Sequence, residues 1–281
     1  MVYTLECPMR RLPRLILSLF FICFTVIGFF YLFQRQLLYL PQSGDINPAN
    51  SGLPNVQLIQ LQTQDGLSLN SWYAPARSQN MPTIIYFHGN AGHISHGAWL
   101  IQEYTKAGYG MFILGYRGFS NNKGQPTEAG LYIDARTAIL YLNDHTAPMH
   151  CIVLFGESLG TGIAVQMATE FQVGAVILQS PYTSITDVGQ THYPFLPVSW
   201  LLEDRYESIK KIHNLQAPLF IFHGEQDKTV PVELGKQLYA SAPEPKTLKI
   251  YPNIGHNGFP NASVAVMHFL KKHRICSKYI N

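Results

Sequence analysis

The chain has 281 residues, 47% of them hydrophobic and 13% charged, with a formal net charge of +3. That length suits one large buried core, and the small, scattered positive excess forms no basic stripe with interleaved aromatics, which excludes nucleic acid as a partner. Its four cysteines make no metal-binding spacing.

In chain order, the first element is Leu15 to Phe33, an apolar run broken only by Ser18, Thr25 and Gly28. As a helix it spans about 28 Å, close to the thickness of a bilayer core. A cleaved signal peptide is the competing reading, but the run exceeds a usual h-region, and Gln34-Arg35-Gln36 follows in place of a small-x-small cleavage site. Arg10, Arg11 and Arg14 precede the run, against Arg35 alone just after it. The positive-inside rule therefore puts residues 1–14 in the cytoplasm, residues 15–33 across the membrane as an uncleaved anchor, and the rest of the chain in the periplasm, a lumen or the exterior. Cys7 and Cys23 read as apolar filler or as acylation sites near the membrane.

Residues 34–55 are rich in turn formers and poor in periodicity, and read as a linker. Beyond them a domain of residues 56–281 is expected. Val56 to Thr63 and Leu67 to Tyr73 alternate around Asp65-Gly66, which predicts a β-hairpin. From Thr83 the pattern becomes continuous apolar strands, at Thr83 to Phe87, Gly110 to Leu114, Cys151 to Phe155, Ala175 to Gln179, Leu219 to Phe222 and Thr247 to Tyr251, hydrophobic on both faces. Helical patterns lie between them near His96 to Ala107, Thr127 to Asp144, Leu159 to Phe171, Val232 to Ser241 and Asn261 to His273. This is an α/β arrangement with a mostly parallel sheet and crossover helices. The interval 182–215 is too long for a simple crossover. Its prolines and its aromatics Tyr193, Phe195 and Trp200 suit a cap over an apolar pocket, or else an irregular surface helix pair. Cys151 and Cys276 both fall at the end of the sheet away from its carboxyl-end loops, and an oxidising compartment leaves a disulfide between them open.

The stretch Gly156-Glu157-Ser158-Leu159-Gly160 sits between a buried strand and a helix, the context of a nucleophile elbow. A serine hydroxyl needs an imidazole to take its proton and a carboxylate to hold that imidazole. Asp227 follows the strand Leu219 to Phe222, with Glu225 as the competing acid, and His256 follows the last strand between Gly255 and Asn257. Ser158, Asp227 and His256 thus follow three different strands in the order this chemistry uses on such a sheet. Oxyanion donors fall to the N–H of Leu159 and, in the loop His88-Gly89-Asn90-Ala91-Gly92, of Asn90. His88, His93, His96 and His223 would share that edge of the sheet, where metal ligation competes with the simpler reading of histidines bonded to loop backbone. Tyr116-Arg117-Gly118 reads as loop scaffolding.

These residues resemble the α/β-hydrolase superfamily, and within it the membrane-anchored branch of esterases and depalmitoylases. The resemblance spans most of residues 31 to 272 and rests also on Gly124-Gln125-Pro126-Thr127-Glu128 and Ser180-Pro181-Tyr182-Thr183-Ser184. It implies the α/β-hydrolase fold with a short cap, Ser158 as nucleophile, Asp227 as acid, His256 as base, Asn90 and Leu159 as oxyanion hole, and no metal or organic cofactor. The expected function is hydrolysis of carboxylic esters or thioesters, with a small acyl ester, a lipid or an acylated molecule as substrate. A serine peptidase acting on short peptides and a non-catalytic binding protein on the same fold are the alternatives. Asn261-Ala262-Ser263 is an acceptor sequon whose glycosylation would mark a lumenal domain.

Overall fold

The computed structural model describes residues 11–277. Arg10 and Cys7, used above for orientation and acylation, lie outside the described residues. Helix α1 (Arg11–Leu38) is longer than the expected span and starts with Pro13 in its first turn, where a missing N–H costs nothing. At 28 residues it is about 42 Å long. Its stretch Pro13–Leu38 is long and apolar enough to cross a bilayer and buries none of its most apolar window in the fold.

The stretch expected as a linker corrects that expectation. Residues 34–38 continue the helix, and those after it are bonded to the domain. Tyr39 is buried with its hydroxyl 2.9 Å from that of Tyr206. The Leu40 N–H donates to Asn90 O at 2.9 Å, and the Trp72 indole N–H donates to Ile46 O at 2.8 Å. The composition is turn-rich because the chain bends repeatedly to follow the surface of the domain, including a one-turn 3₁₀ helix at Pro48–Ser51 capped by Asn47.

The domain is an eight-stranded sheet in the order β1-β2-β4-β3-β5-β6-β7-β8. Strands β1 (Gln57–Gln62) and β2 (Ser68–Ala74) form the expected antiparallel hairpin, with Gln57 opposite Tyr73. Strand β2 also pairs antiparallel with β4 (Gly110–Ile113). All later pairings are parallel, through β3 (Thr83–Phe87), β5 (Ile152–Glu157), β6 (Ala175–Gln179), β7 (Leu219–Gly224) and β8 (Lys246–Tyr251). Helices α3 (Glu128–His145), α4 (Leu159–Glu170) and α7 (Val232–Ser241) cover one face, and α2 (Ala98–Lys106) and α8 (Ala262–Lys272) the other. A parallel sheet must be buried on both faces, which this two-sided cover achieves.

The central strands are buried on both faces, as their continuous apolar runs require, but β8 is not. It is an edge strand, where the exposed Lys249 places a charge that disfavours further pairing, while Lys246 donates to the Tyr239 and Ala242 carbonyls at the end of α7. Arg117 scaffolds the loop after β4 through two acids, donating to Asp134 at 2.7 and 2.9 Å and to Asp65 at 2.7 and 3.1 Å. Cys151 and Cys276 form a disulfide with Cα atoms 4.5 Å apart, at the amino end of β5. In the interval 182–215, α5 (Ile185–His192) and α6 (Val198–Leu201) form a small cap. The remainder returns to the core, where Tyr206, Ser208 and Ile212 are buried.

Candidate active site

Strand β5 delivers the chain to Ser158, which turns at φ 50° and ψ −117° before α4 begins. A non-glycine residue in that region is strained and persists only where its surroundings fix it. Here the Ser158 N–H donates to Gln179 O on β6 at 2.9 Å and the Thr161 N–H to Ser158 O at 2.9 Å. The turn is so tight that a Cβ on Gly156 would lie 2.5 Å from Gly160 O, and one on Gly160 would lie 2.0 Å from Phe87 O. Both glycines of the motif are therefore steric requirements of the turn.

His256 Nε2 lies 3.0 Å from Ser158 Oγ, and His256 Nδ1 lies 2.7 Å from Asp227 Oδ2. The structure brings these three residues together, while Glu225 points to solvent. Asp227 is buried and collects four donors. Its Oδ1 accepts from the N–H groups of Thr229 and Val230 at 2.8 and 2.9 Å, and its Oδ2 accepts from His256 and, at 3.1 Å, from His223 Nε2. Burial alone would push this carboxyl up, but the hydrogen bonds from His223, His256 and Val230 outweigh it and hold the group well below the usual carboxylate range. With Asp227 ionised, His256 donates from Nδ1 and leaves its Nε2 lone pair facing the serine hydroxyl. The loop carrying His256 is fixed in turn by Ser180 Oγ, which donates to His256 O at 3.2 Å.

His223 was expected to bond loop backbone. It does bond Val230 O at 2.9 Å, but it also supports Asp227, a role hidden in the sequence by the four-residue offset within one strand-end loop. Of the other histidines weighed as ligands, His88 and His93 take separate partners. His88 Nδ1 donates to Gly89 O at 2.8 Å while its ring packs on Tyr116 and Phe119, and His93 bonds Ser95 at 2.7 Å. Burial pushes His88 down to about 4, so it is neutral at physiological pH. Behind the serine, the Tyr86 hydroxyl donates to the Glu157 carboxylate, a pair that periodicity gave no means of anticipating.

Asn90 and Leu159 border the same space as Ser158. Among the described residues neither N–H donates to a protein acceptor, and Leu159 opens α4, whose dipole favours negative charge at that point. Above them lies an apolar cavity of about 290 Å³, walled by the cap and by residues of α1. The contribution of α1 had no signal in the sequence, because it comes from contacts between residues 34 and 203.

Residues 78–210 and 201–261 match the Hydrolase_4 family, described as serine aminopeptidase, S33. The chain is 39% identical over 234 residues to the uncharacterized protein Rv2307c of Mycobacterium tuberculosis, covering 83% of each chain. It is 26% identical to the lysophosphatidylserine lipase ABHD12 of Danio rerio, over 85% of this chain and 74% of that one. Among solved structures, the Pyrococcus furiosus esterase Pf2001 superposes with a TM-score of 0.66 at 19% identity, over 83% of this chain and 98% of that one, a likeness of fold. With the eight-stranded sheet and its strand-to-helix elbow in place, the chain belongs to the Hydrolase_4 family of the α/β-hydrolase superfamily.

Proposed function

We propose that the protein is a membrane-anchored serine hydrolase that cleaves carboxylic esters or thioesters through an acyl-Ser158 intermediate. The observation that carries this reading is the relay from Ser158 Oγ through His256 to Asp227, at 3.0 and 2.7 Å, opening into an apolar cavity. Ser158 Oγ attacks the acyl carbon as His256 Nε2 takes its proton, and Asp227 stabilises the imidazolium. The N–H groups of Leu159 and Asn90 face the developing oxyanion. His256 then returns the proton to the departing alkoxide or thiolate. Water attacks the acyl-enzyme with His256 again as base, which releases the acid and frees Ser158.

The family description makes an aminopeptidase the second reading. An aminopeptidase must hold an α-ammonium group, and among the described residues no aspartate or glutamate lines the cavity. Its apolar walls instead favour an acyl chain, in keeping with the lipase and esterase named among the similar proteins. Anchoring is supported by α1, which presents an unburied apolar surface to its surroundings. The Cys151–Cys276 disulfide supports placing the domain on the oxidising side of the membrane.

The test is fluorophosphonate labelling of membranes carrying the wild type or Ser158→Ala, together with turnover of a simple ester. Labelling of the wild type alone, with turnover reduced by at least about 10⁴-fold in the variant, is expected. Ester turnover retained by Ser158→Ala would overturn the reading.

A further inference from the structure

One wall of the cavity above Ser158 comes from the apolar N-terminal helix. Phe30, Gln34, Leu37 and Leu38 line it, and their spacing of four, seven and eight residues from Phe30 puts them on one stripe of α1. The cap supplies the facing wall, with Ile185, Val188 and Leu196 among its residues.

The helix is clamped in this position. The Gln34 amide donates to Leu201 O at 3.1 Å and accepts from the Glu203 N–H at 2.7 Å, so its polar end is satisfied by the cap. Arg35 pairs with Asp204 at 2.9 Å and Glu203 at 2.8 Å, and Tyr31 donates to Glu203 at 3.2 Å. Phe30 packs against Tyr193 of the cap, with ring centroids 5.5 Å apart. Beside this contact the cap exposes Phe195 and Trp200, 77% and 85% accessible. Large aromatics left exposed next to a spanning helix are the composition of the membrane interface, where a ring lies among headgroups. On the anchored reading above, the same end of α1 lines the cavity and lies beside these exposed rings.

Resting on the hydrolase reading, we infer that the last two turns of α1 are part of the substrate site: they form the wall along which the acyl chain of a membrane-resident, single-chain ester lies while its carbonyl reaches Ser158. The cavity, about 290 Å³, is at the small end for ligand sites and accepts one chain rather than two. The substrate then passes sideways from the leaflet along α1 and keeps its tail out of water. Its headgroup leaves on the aqueous side.

The first arm of the test does not depend on turnover. Full-length Ser158→Ala protein in phosphatidylcholine vesicles is irradiated with a lauroyl monoester bearing a diazirine at the end of its chain. Adducts on residues 30–38 support the inference, and adducts confined to residues 185–202, or absent, overturn it. The second arm reads selectivity as the ratio of kcat/KM for lauroyl over acetyl monoesters. Leu37→Trp, which fills the cavity from the helix side, lowers that ratio about tenfold, mainly through KM, whereas Leu32→Trp, exposed on another face of the helix, leaves it within about twofold. An equal response of the two variants overturns the inference. A wild type that turns over neither ester defeats the hydrolase reading instead, and the adducts on Ser158→Ala then still decide whether α1 meets the acyl chain.

Discussion

The two halves of the site are built by different means. Ser158, Asp227 and His256 stand just beyond the carboxyl ends of β5, β7 and β8 of one sheet, and each is fixed by backbone hydrogen bonds or by partners in the adjoining loops. The cavity above them is a joint between two appended pieces, α1 and the cap, held by a handful of partly exposed side-chain contacts. Groups that move protons need positions accurate to fractions of an ångström, which a close-packed sheet supplies. A wall that only shapes an apolar chain tolerates a looser joint, and such joints can be altered without touching the chemistry.

This contrast can be broken at several points. The largest effect is expected from Asp227→Asn, which leaves the geometry but removes the charge that holds His256 in its tautomer. It lowers kcat about 10⁴-fold, equally for short and long acyl esters. A loss that depended on acyl length would mean that the two halves are not separable. Next, Cys276→Ser opens the disulfide at the far end of the sheet. It should lower unfolding stability by about 2–4 kcal/mol, measured by denaturant titration, with kcat at low temperature unchanged. A change in kcat there would show that the carboxyl-edge loops sense the opposite end of the sheet.

The smallest effect concerns acid. His88 is buried neutral, with its folded value pushed down to about 4 from 6.5. The unfolded chain therefore binds the proton first, and the stability His88 contributes is complete above its unfolded value and is lost as pH falls toward its folded one. Going from about pH 7.5 to about pH 5.5 it accounts for on the order of 1 kcal/mol of lost stability. His88→Gln, which keeps a donor for Gly89 O, should flatten that part of the pH dependence of Tm. An unchanged slope would place the acid sensitivity elsewhere.

The contrast also explains what could be read from the chain alone. The elbow at Ser158 is a local object of strand, tight turn and helix, and its glycines announce it within five residues. Asp227 and His256 are legible because strand ends carry them in a fixed order, and the hairpin because alternation and Asp65-Gly66 are short-range signals. The wall from α1 depends instead on Gln34 meeting Leu201 and Glu203, for which neither segment carries a pattern. Turn-forming composition misled at residues 39–55, since a chain that hugs a surface bends as often as one that hangs free. His223 was placed on the correct edge, but its second acceptor, Asp227, emerges only when the loop folds back on the strand.

The disulfide has a consequence for how the molecule fails under proteases. It closes a covalent ring whose ends are 125 positions apart in the sequence, and Ser158, Asp227 and His256 all lie inside that ring. A single cut at the exposed Phe195 of the cap leaves two fragments that still travel as one molecule, with Ser158 on the first and Asp227 and His256 on the second. In denaturant the nicked protein keeps its mass until a reductant is added, and only then do the two fragments separate.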